Sequence, residues 1–408
     1  MKILMLCEFF NEALEFQENA LADYYTRRGH DVVVIASTFE SVFDYYNDRH
    51  DAGAPARDYW CNGFRVVKLR YAYNIMNRLR AYTSISSYLN DFKPDLVYVH
   101  DIMPNIPECV AYVRRNPGSK MIMDYHADYS NSGKNWISTK ILHGILRKRL
   151  LNIARPHLEK IYPVVPASVT FLRDVYGVPE SEMEILPLGA DLDHARRVKQ
   201  DGLGAARRRE LGITETAFVV FTGGKLTPNR KTEHLLAAVA TINDPDLHVI
   251  VVGKGDADYE AKLREAARDL SAVHFVGWQD KEGMYRHMAA ADVAVFPAAQ
   301  SVIWQQCIGM GLPLILCDRS ELTGMHPQPV DYLNRHDNVI TLEWQPSLAP
   351  QIHQHLERLK GNPEELSARQ AGARRTAEEY LDWNRIVDTT LSCFSTSELS
   401  GQRLEWAS

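Results

Sequence analysis

The sequence is short of the features that mark several protein classes. Its six cysteines, Cys7, Cys61, Cys109, Cys307, Cys317 and Cys393, are scattered over 408 residues, and no two have CxxC spacing. Neither a zinc ribbon nor a thioredoxin-type motif is indicated. Thiols so dispersed are expected to be reduced and mostly buried, which favours the cytoplasm. No apolar run nears the ~18–20 residues needed to span a bilayer. The start, Met1–Glu8, is not expected to be a secretion leader, because its apolar stretch stops at Glu8. Charge of one sign is scarce too: 46 basic against 52 acidic side chains leave a net charge of −6. That balance argues against nucleic acid as the main partner.

What the chain does have is a regular alternation. Short apolar runs at Ile3–Cys7, Val32–Ser37, Leu96–Val99, Met121–Met123 and Ile161–Val165 read as buried strands. Stretches of helical period, Leu14–Arg28, Met76–Phe92 and Ile137–Leu158, lie between them. The second half repeats the pattern with Phe218–Thr222, Leu247–Val252, Val273–Val276, Val293–Phe296 and Leu312–Leu316. Near-continuous apolar strands separated by helices imply parallel sheets covered on both faces. The expected fold class is therefore α/β, with two Rossmann-like, doubly wound domains facing a cleft. The boundary falls near Leu188–Leu203, where Gly189, Asp191, Gly202 and Gly204 cluster. This gives a first domain over 1–190, a second over 191–380, and a terminal helix and polar tail over 381–408. The last helical stretches, Leu366–Tyr380 and Trp383–Phe394, are expected to pack back onto the first domain.

In open parallel sheets, ligands bind beyond the carboxyl ends of the strands. Three such ends in the second half carry candidates. After Phe221-Thr222 comes Gly223-Gly224-Lys225-Leu226-Thr227-Pro228-Asn229-Arg230-Lys231. The glycines allow close backbone approach, and Lys225, Arg230 and Lys231 beside a helix start suit a diphosphate. The segment is neither a Walker A nor a GxGxxG sequence, and a solvated basic turn is the plainer reading. Gly253, after Val251-Val252, permits a second close approach, although glycine turns after strands are common. Ser301 is placed to cap a helix running to Met310, and free N–H groups at Ser301, Val302 and Ile303 would form a second anion site.

The stretch from Lys140 to Lys160 holds Lys140, Arg147, Lys148, Arg149, Arg155 and Lys160 against one acid, Glu159, with apolar residues between. It reads either as a basic amphipathic helix for an anionic membrane surface or as an ordinary helix with a solvated face. Other candidates have plainer readings beside them. His100 and Asp101 follow a strand, where they could line the cleft or cap the loop. Trp304 reads as packing before base stacking, and Asp318, after the last core strand, reads equally as a site residue or a turn cap. Tyr45, Tyr46, Tyr71 and Tyr73 read as half-buried packing before an acceptor surface.

Five segments then fall in a telling order: Arg28-Gly29-His30-Asp31-Val32-Val33-Val34, Ile185-Leu186-Pro187-Leu188-Gly189-Ala190-Asp191, Gly224-Lys225-Leu226 through Lys231, Val276-Gly277 with Ala291-Asp292-Val293, and Gly311-Leu312-Pro313. In order and spacing the chain resembles, over nearly its whole length, the family 4 glycosyltransferases of the GT-B fold. These are retaining enzymes that use nucleotide-diphosphate sugars. The resemblance implies that Lys225, where the family usually has arginine, and Lys231 neutralise the donor diphosphate. Gly224, Arg230, Gly253, Gln300, Ser301, Val302, Ile303 and Gln306 would complete the donor site. His126, in Asp124-Tyr125-His126-Ala127-Asp128, stands where the family places its active-site histidine, with Asp128 to orient it or meet the acceptor. Asn11, Glu12 and His100 would lie on the acceptor side.

Two departures accompany the likeness. The family's Glu-x7-Glu pair falls here on Ala298 and Gln306, neither a carboxylate. Gln306 can still hydrogen-bond a ribose as an amide, and Gln300, Ser301 and Gln305 are polar substitutes nearby. The first strand–helix turn has Asn11-Glu12-Ala13 where the family often has Gly-Gly. The implied activity is transfer of a sugar from a UDP- or GDP-sugar to a hydroxyl of a saccharide, lipid-linked or other acceptor, with retention. It would need no cofactor and no metal, and would serve cell-surface polysaccharide or glycolipid synthesis at the inner face of the membrane. The rival readings are a degenerate nucleotide-sugar-binding or partner subunit without catalysis, which Ala298 and Gln306 favour, and a nucleotide-sugar 2-epimerase. Residues 1–190 carry 22 basic and 22 acidic side chains, so the whole negative excess lies in the half expected to bind the anionic donor. Binding there must rest on a few placed cations and helix ends.

Overall fold

The computed structural model describes residues 1–12, 16–39, 55–75, 78–132, 136–298, 301–319 and 329–394. They form two compact units: Met1–Pro187 together with the chain from Trp383, and Leu188–Asp382.

Unit 1 is built on seven strands: β1 (Lys2–Leu6), β2 (Asp31–Ser37), β3 (Arg57–Cys61), β4 (Phe64–Leu69), β7 (Leu96–His100), β8 (Lys120–Tyr125) and β9 (Ile161–Pro163). Their order is β3-β4-β2-β1-β7-β8-β9. All neighbours are parallel except the edge strand β3, which pairs antiparallel with β4. Alternation along β1 sends Leu4 and Leu6 to one face and Ile3 and Met5 to the other. Both faces are covered, one by the helix Ile106–Arg115 and its neighbours, the other by the helices Gln17–Arg27 and Trp383–Leu391. Each such aliphatic side chain contributes roughly 1.5–3 kcal/mol on full burial, which is why the runs are apolar at every position. The chain leaves β1 toward β2 and later returns to β7 on its other side, so the sheet's switch point lies between β1 and β7.

Unit 2 carries six parallel strands: β10 (Phe218–Gly223), β11 (Leu247–Val252), β12 (Val273–Gly277), β13 (Val293–Phe296), β14 (Leu314–Asp318) and β15 (Val339–Glu343). Their order, β12-β11-β10-β13-β14-β15, puts the switch point between β10 and β13. A core on one face packs Val220, Val249, Val251 and Val293 against Leu235, Leu236, Ile352 and Leu356.

Three expectations need correction. The stretch Met76–Phe92 is not one helix: residues 76–77 lie outside the described residues, Leu79–Tyr82 is a strand (β6), and only Ser86–Phe92 is helical. β6 pairs with β5 (Tyr71–Ile75) in an antiparallel hairpin. Tyr82 holds it there by stacking on Tyr71 at 5.3 Å and by donating from its hydroxyl to the Cys7 carbonyl at 2.5 Å. Of the two terminal helical stretches, only Trp383–Leu391 joins unit 1; the helix Pro363–Thr376 stays in unit 2. There Thr376 donates to the buried Asn338 at 2.8 Å, and Gly372 sits so close to the His336 carbonyl that a Cβ would fall 2.0 Å from it. Strands β3, β4 and β15 also join the two large sheets, while β5 and β6 form a two-stranded sheet of their own, and the half-exposed patterns of β3 and β5 are ones the apolar-run reading passes over.

Candidate functional site

At the switch point of unit 2, three strand-end loops meet. Gly224, after β10, has φ +111° and donates its N–H to the Val252 carbonyl at 3.0 Å. Gly253, after β11, has φ +135°, and a Cβ on it would stand 1.9 Å from the Gly224 carbonyl oxygen. Only glycine allows that approach. The two loops continue side by side, Leu226 donating to the Lys254 carbonyl at 3.2 Å, and a Cβ on Gly255 would again meet the Leu226 carbonyl at 1.9 Å. The third loop follows β13: a Cβ on Gly224 would lie 3.3 Å from Ile303 and 3.6 Å from the Ser301 hydroxyl. Gly224, Gly253, Ser301 and Ile303 are thus brought together.

The cations stand on the same loops. Lys225 is exposed directly after Gly224. Lys231 takes a left-handed conformation (φ +56°) at the start of the helix Thr232–Ile242. Arg230 is half-buried, and burial pulls its pKa below the usual guanidinium value. The helix after Ser301 is shorter than expected, Ile303–Gly309. The expected trio of free N–H groups is also reduced, since Ile303 donates to the Ser301 hydroxyl at 3.4 Å. Val302 is exposed. Gln306 is half-buried on this helix and Ala298 is buried before it, so neither position offers a carboxylate. Gln300 lies outside the described residues. Trp304 is buried against Phe296, as packing requires.

In unit 1, parallel pairing of β7 and β8 sets His100 beside Asp124. Asp124 is fully buried. Its Oδ2 lies 2.9 Å from His100 Nδ1 and 3.1 Å from His126 Nε2, and accepts from the Tyr98 hydroxyl at 2.8 Å. The two imidazoles are tilted together with centroids 4.4 Å apart. Burial opposes the charge on Asp124, but the two histidines outweigh it and hold the carboxyl below the usual range. Burial likewise opposes a charged His100, yet Asp124, with Glu18 and Asp101 adding, raises it to about 10. Sequence reasoning gave the orienting role to Asp128. That residue is occupied elsewhere: its Oδ1 accepts from Ser130 N–H (2.6 Å), the Ser130 hydroxyl (2.5 Å) and Asn131 N–H (3.2 Å), closing the loop after β8. Asp124 is the residue the reading missed, and its signal was one acid at the end of an apolar strand, two residues before His126. Asp101 does not cap the loop through its side chain. Its backbone N–H donates to the Asp124 carbonyl at 3.2 Å, and its buried Oδ1 has no partner among the described residues.

On the other side of this switch point, Asn11 accepts from Asn19 through its carbonyl at 3.0 Å, and Glu12 is exposed. Tyr71 is half-buried in the stack on Tyr82, whereas Tyr73 is exposed; Tyr45 and Tyr46 lie outside the described residues. The basic stretch folds as a π-helical segment, Ser138–Arg147, continued by the α-helix Lys148–Ala154. Trp136, Ile137, Ile141, Ile145, Leu146 and Ile153 are exposed. Its positive charge is thinner than the sequence suggested: Glu182 pairs Arg155 at 2.6 Å, and Lys160 leans on the Ser181 carbonyl. Lys140 and Arg149 remain exposed beside the apolar residues. Among the described residues, no helix is long and apolar enough to cross a membrane.

Two doubly wound α/β units, the second with an anion-suited loop cluster at its switch point, define a two-domain α/β protein of the GT-B class. Residues 19–194 match the family model described as Glycosyltransferase Family 4, and residues 217–331 match that described as Glycosyl transferases group 1. Both matched models are of glycosyltransferases, one in each half of the chain. It is similar to the GDP-mannose-dependent monoacylated alpha-(1-6)-phosphatidylinositol monomannoside mannosyltransferase of Corynebacterium glutamicum, with 32% identity over 28% of this chain and 30% of that protein. It is also similar to the phosphatidyl-myo-inositol mannosyltransferase of Mycobacterium leprae, with 24% identity over 62% of this chain and 61% of that one. The chain thus matches less than two thirds of the length of these relatives. The crystal structure of Anabaena Alr3699/HepE in complex with UDP superposes with a TM-score of 0.67 at 17% identity, covering 97% of this chain and 100% of that one. That likeness carries the GT-B fold.

Proposed function

We propose that this protein transfers a sugar from a nucleotide-diphosphate sugar to an acceptor hydroxyl with retention of configuration. The observation that carries the reading is the convergence of the Gly224, Gly253 and Ser301 loops, with Lys225 and Lys231 beside them, at the switch point of unit 2. Departure of a nucleoside diphosphate concentrates negative charge on the leaving oxygen. Fixed N–H groups and lysines stabilise that charge without reorganising. Lysine in place of arginine keeps the charge but gives up the bidentate fork. Ala298 and Gln306 offer no carboxylate nucleophile, so the acceptor attacks from the face the diphosphate leaves, and the departing phosphate oxygen takes its proton. In unit 1, His126 is the candidate for contact with a sugar, and Asn11, Glu12 and His100 are the acceptor-side candidates. The lysines do the work a cation would do, so the reading requires no metal and no further cofactor.

The donor is a UDP- or GDP-sugar, since the similar proteins include GDP-mannose-dependent enzymes and one structure with UDP. The acceptor belongs to glycolipid or polysaccharide synthesis at the inner face of the membrane. The exposed apolar residues of 136–153, with Lys140 and Arg149 among them, support that placement. Calorimetry with UDP-glucose, GDP-mannose and an ADP-sugar tests the donor site. Charge-assisted hydrogen bonds are worth roughly 1.5–3 kcal/mol each, so Lys225→Ala and Lys231→Ala should each weaken binding by about 10–100-fold. Unchanged binding in both variants would remove the site. A second reading, a binding subunit without chemistry, is favoured by Ala298 and Gln306. It predicts donor binding with no hydrolysis or transfer from any of the three sugars.

A further inference from the structure

Asp124 has no part in the reading above, yet it is built into unit 1 with care. It is fully buried, and a carboxylate taken from water is costly unless paired and hydrogen-bonded. All of that compensation comes from groups around the carboxyl edge of the sheet. Oδ2 receives Tyr98, His100 and His126, and Oδ1 lies 3.3 Å from the Asp101 N–H. An ionised carboxylate only accepts. Each imidazole nitrogen that faces it therefore carries hydrogen: Nδ1 of His100 and Nε2 of His126.

One imidazolium neutralises Asp124; a second would leave net positive charge in a buried place. Glu18, from the helix Gln17–Arg27, and Asp101, after β7, both act on His100 and draw the charge to it. Tyr98 and Cys7, the other titratable neighbours, are kept neutral by burial. His126 is the second imidazole held on Asp124. Its side chain is partly exposed, at 27%, with Nε2 tied inward. The opposite ring nitrogen, Nδ1, has no hydrogen-bond partner among the described residues.

We propose that Asp124 is a positioning residue that locks His126 as the Nε2–H tautomer, so that its Nδ1 lone pair accepts a hydrogen bond from a hydroxyl of the bound sugar. The sugar as partner rests on the transfer reading; the locked tautomer does not. A divalent cation is the competing occupant, because ligand atoms of His100, Asp124 and His126 lie within 4.8 Å of one another. The contacts speak for protons: Oδ2 is already filled by three donors, one of them the Tyr98 hydroxyl, and a cation would have to displace both ring hydrogens.

Nitrogen-15 NMR of the full chain labelled on histidine tests this without turnover. At pH 8 His126 should show a protonated Nε2 and a bare Nδ1, and Asp124→Asn should replace that pattern by a tautomer mixture. A protonated Nδ1 on His126 in the unsubstituted protein overturns the proposal. So does one-to-one binding of ZnCl2 that shifts both rings and is lost in Asp124→Asn. Hydrolysis of UDP-glucose or GDP-mannose supplies the functional arm. Asp124→Asn should lower kcat by tenfold or more with KM within twofold, and should add nothing further in a His126→Gln background. Additive losses overturn the coupling. A protein with the expected tautomer but no hydrolysis of either donor fails the transfer reading and leaves the lock standing.

Discussion

His100 and Asp124 show how one contact sets a residue's behaviour. Unfolded, His100 would titrate near the ordinary 6.5; folded, it is raised to about 10. A group raised on folding stabilises fully below its unfolded value, and that stabilisation is lost as pH climbs through the folded one. The window here runs from about 6.5 to about 10. Asp124, held low, works the other way and loses its contribution only in strong acid. The melting temperature should therefore fall between pH 7 and 10, and His100→Gln should flatten that fall in a calorimetric pH series. An equal slope in the variant would place the titrating group elsewhere. The same scale explains Asp128: with three short contacts to its own loop, its carboxylate closes a turn.

At the scale of elements, the loops after β10 and β11 act as one piece. Gly253→Ala would drive a Cβ into the Gly224 carbonyl at a φ that side chains avoid. The expected cost is about 2 kcal/mol or more, seen as a lower melting temperature and lost protection by UDP or GDP. An alanine variant that still responds to nucleotide would separate the loop from the site. The segment Ser138–Arg147 tests membrane approach. Ile141→Asp with Ile145→Asp should abolish sedimentation with vesicles rich in phosphatidylglycerol, because their exposed side chains supply the buried apolar area such binding needs. Sedimentation that survives in the double variant would assign the binding to another surface.

Across the whole molecule, unit 1 is completed by chain that has already passed through unit 2. Trp383 is buried against Tyr24, the Tyr25 hydroxyl meets Thr390 at 2.5 Å, and Tyr162 donates to the Thr389 carbonyl at 3.0 Å. Removing a buried tryptophan costs about 3–5 kcal/mol. Trp383→Ala should thus lower the unfolding transition of unit 1 by roughly 10 °C, and calorimetry should find unit 2 unmoved. Equal shifts in both would mean that the last helix stabilises unit 2 as well.

The sequence by itself determined the two parallel sheets, because strands buried on both faces must be apolar at every position and so stand out as runs. It also determined the loops that could approach an anion, since Gly224 and Gly253 next to strand ends and lysines leave a local mark. Tertiary structure alone decided the rest. Residues 79–82 have a helix-compatible composition, yet Tyr82 finds its partners in Tyr71 and Cys7, and the segment pairs as a strand. The helices Pro363–Thr376 and Trp383–Leu391 both follow β15 in the chain, and only their docking sends one to each unit. Asp124 looks like a lone acid in a strand. Sheet register brings His100 from β7 alongside it and leaves Asp128, the nearer-looking partner of His126, to its own turn. A pattern along the chain records which face a residue buries; which residue waits across the sheet is set by a pairing of strands that no local stretch contains.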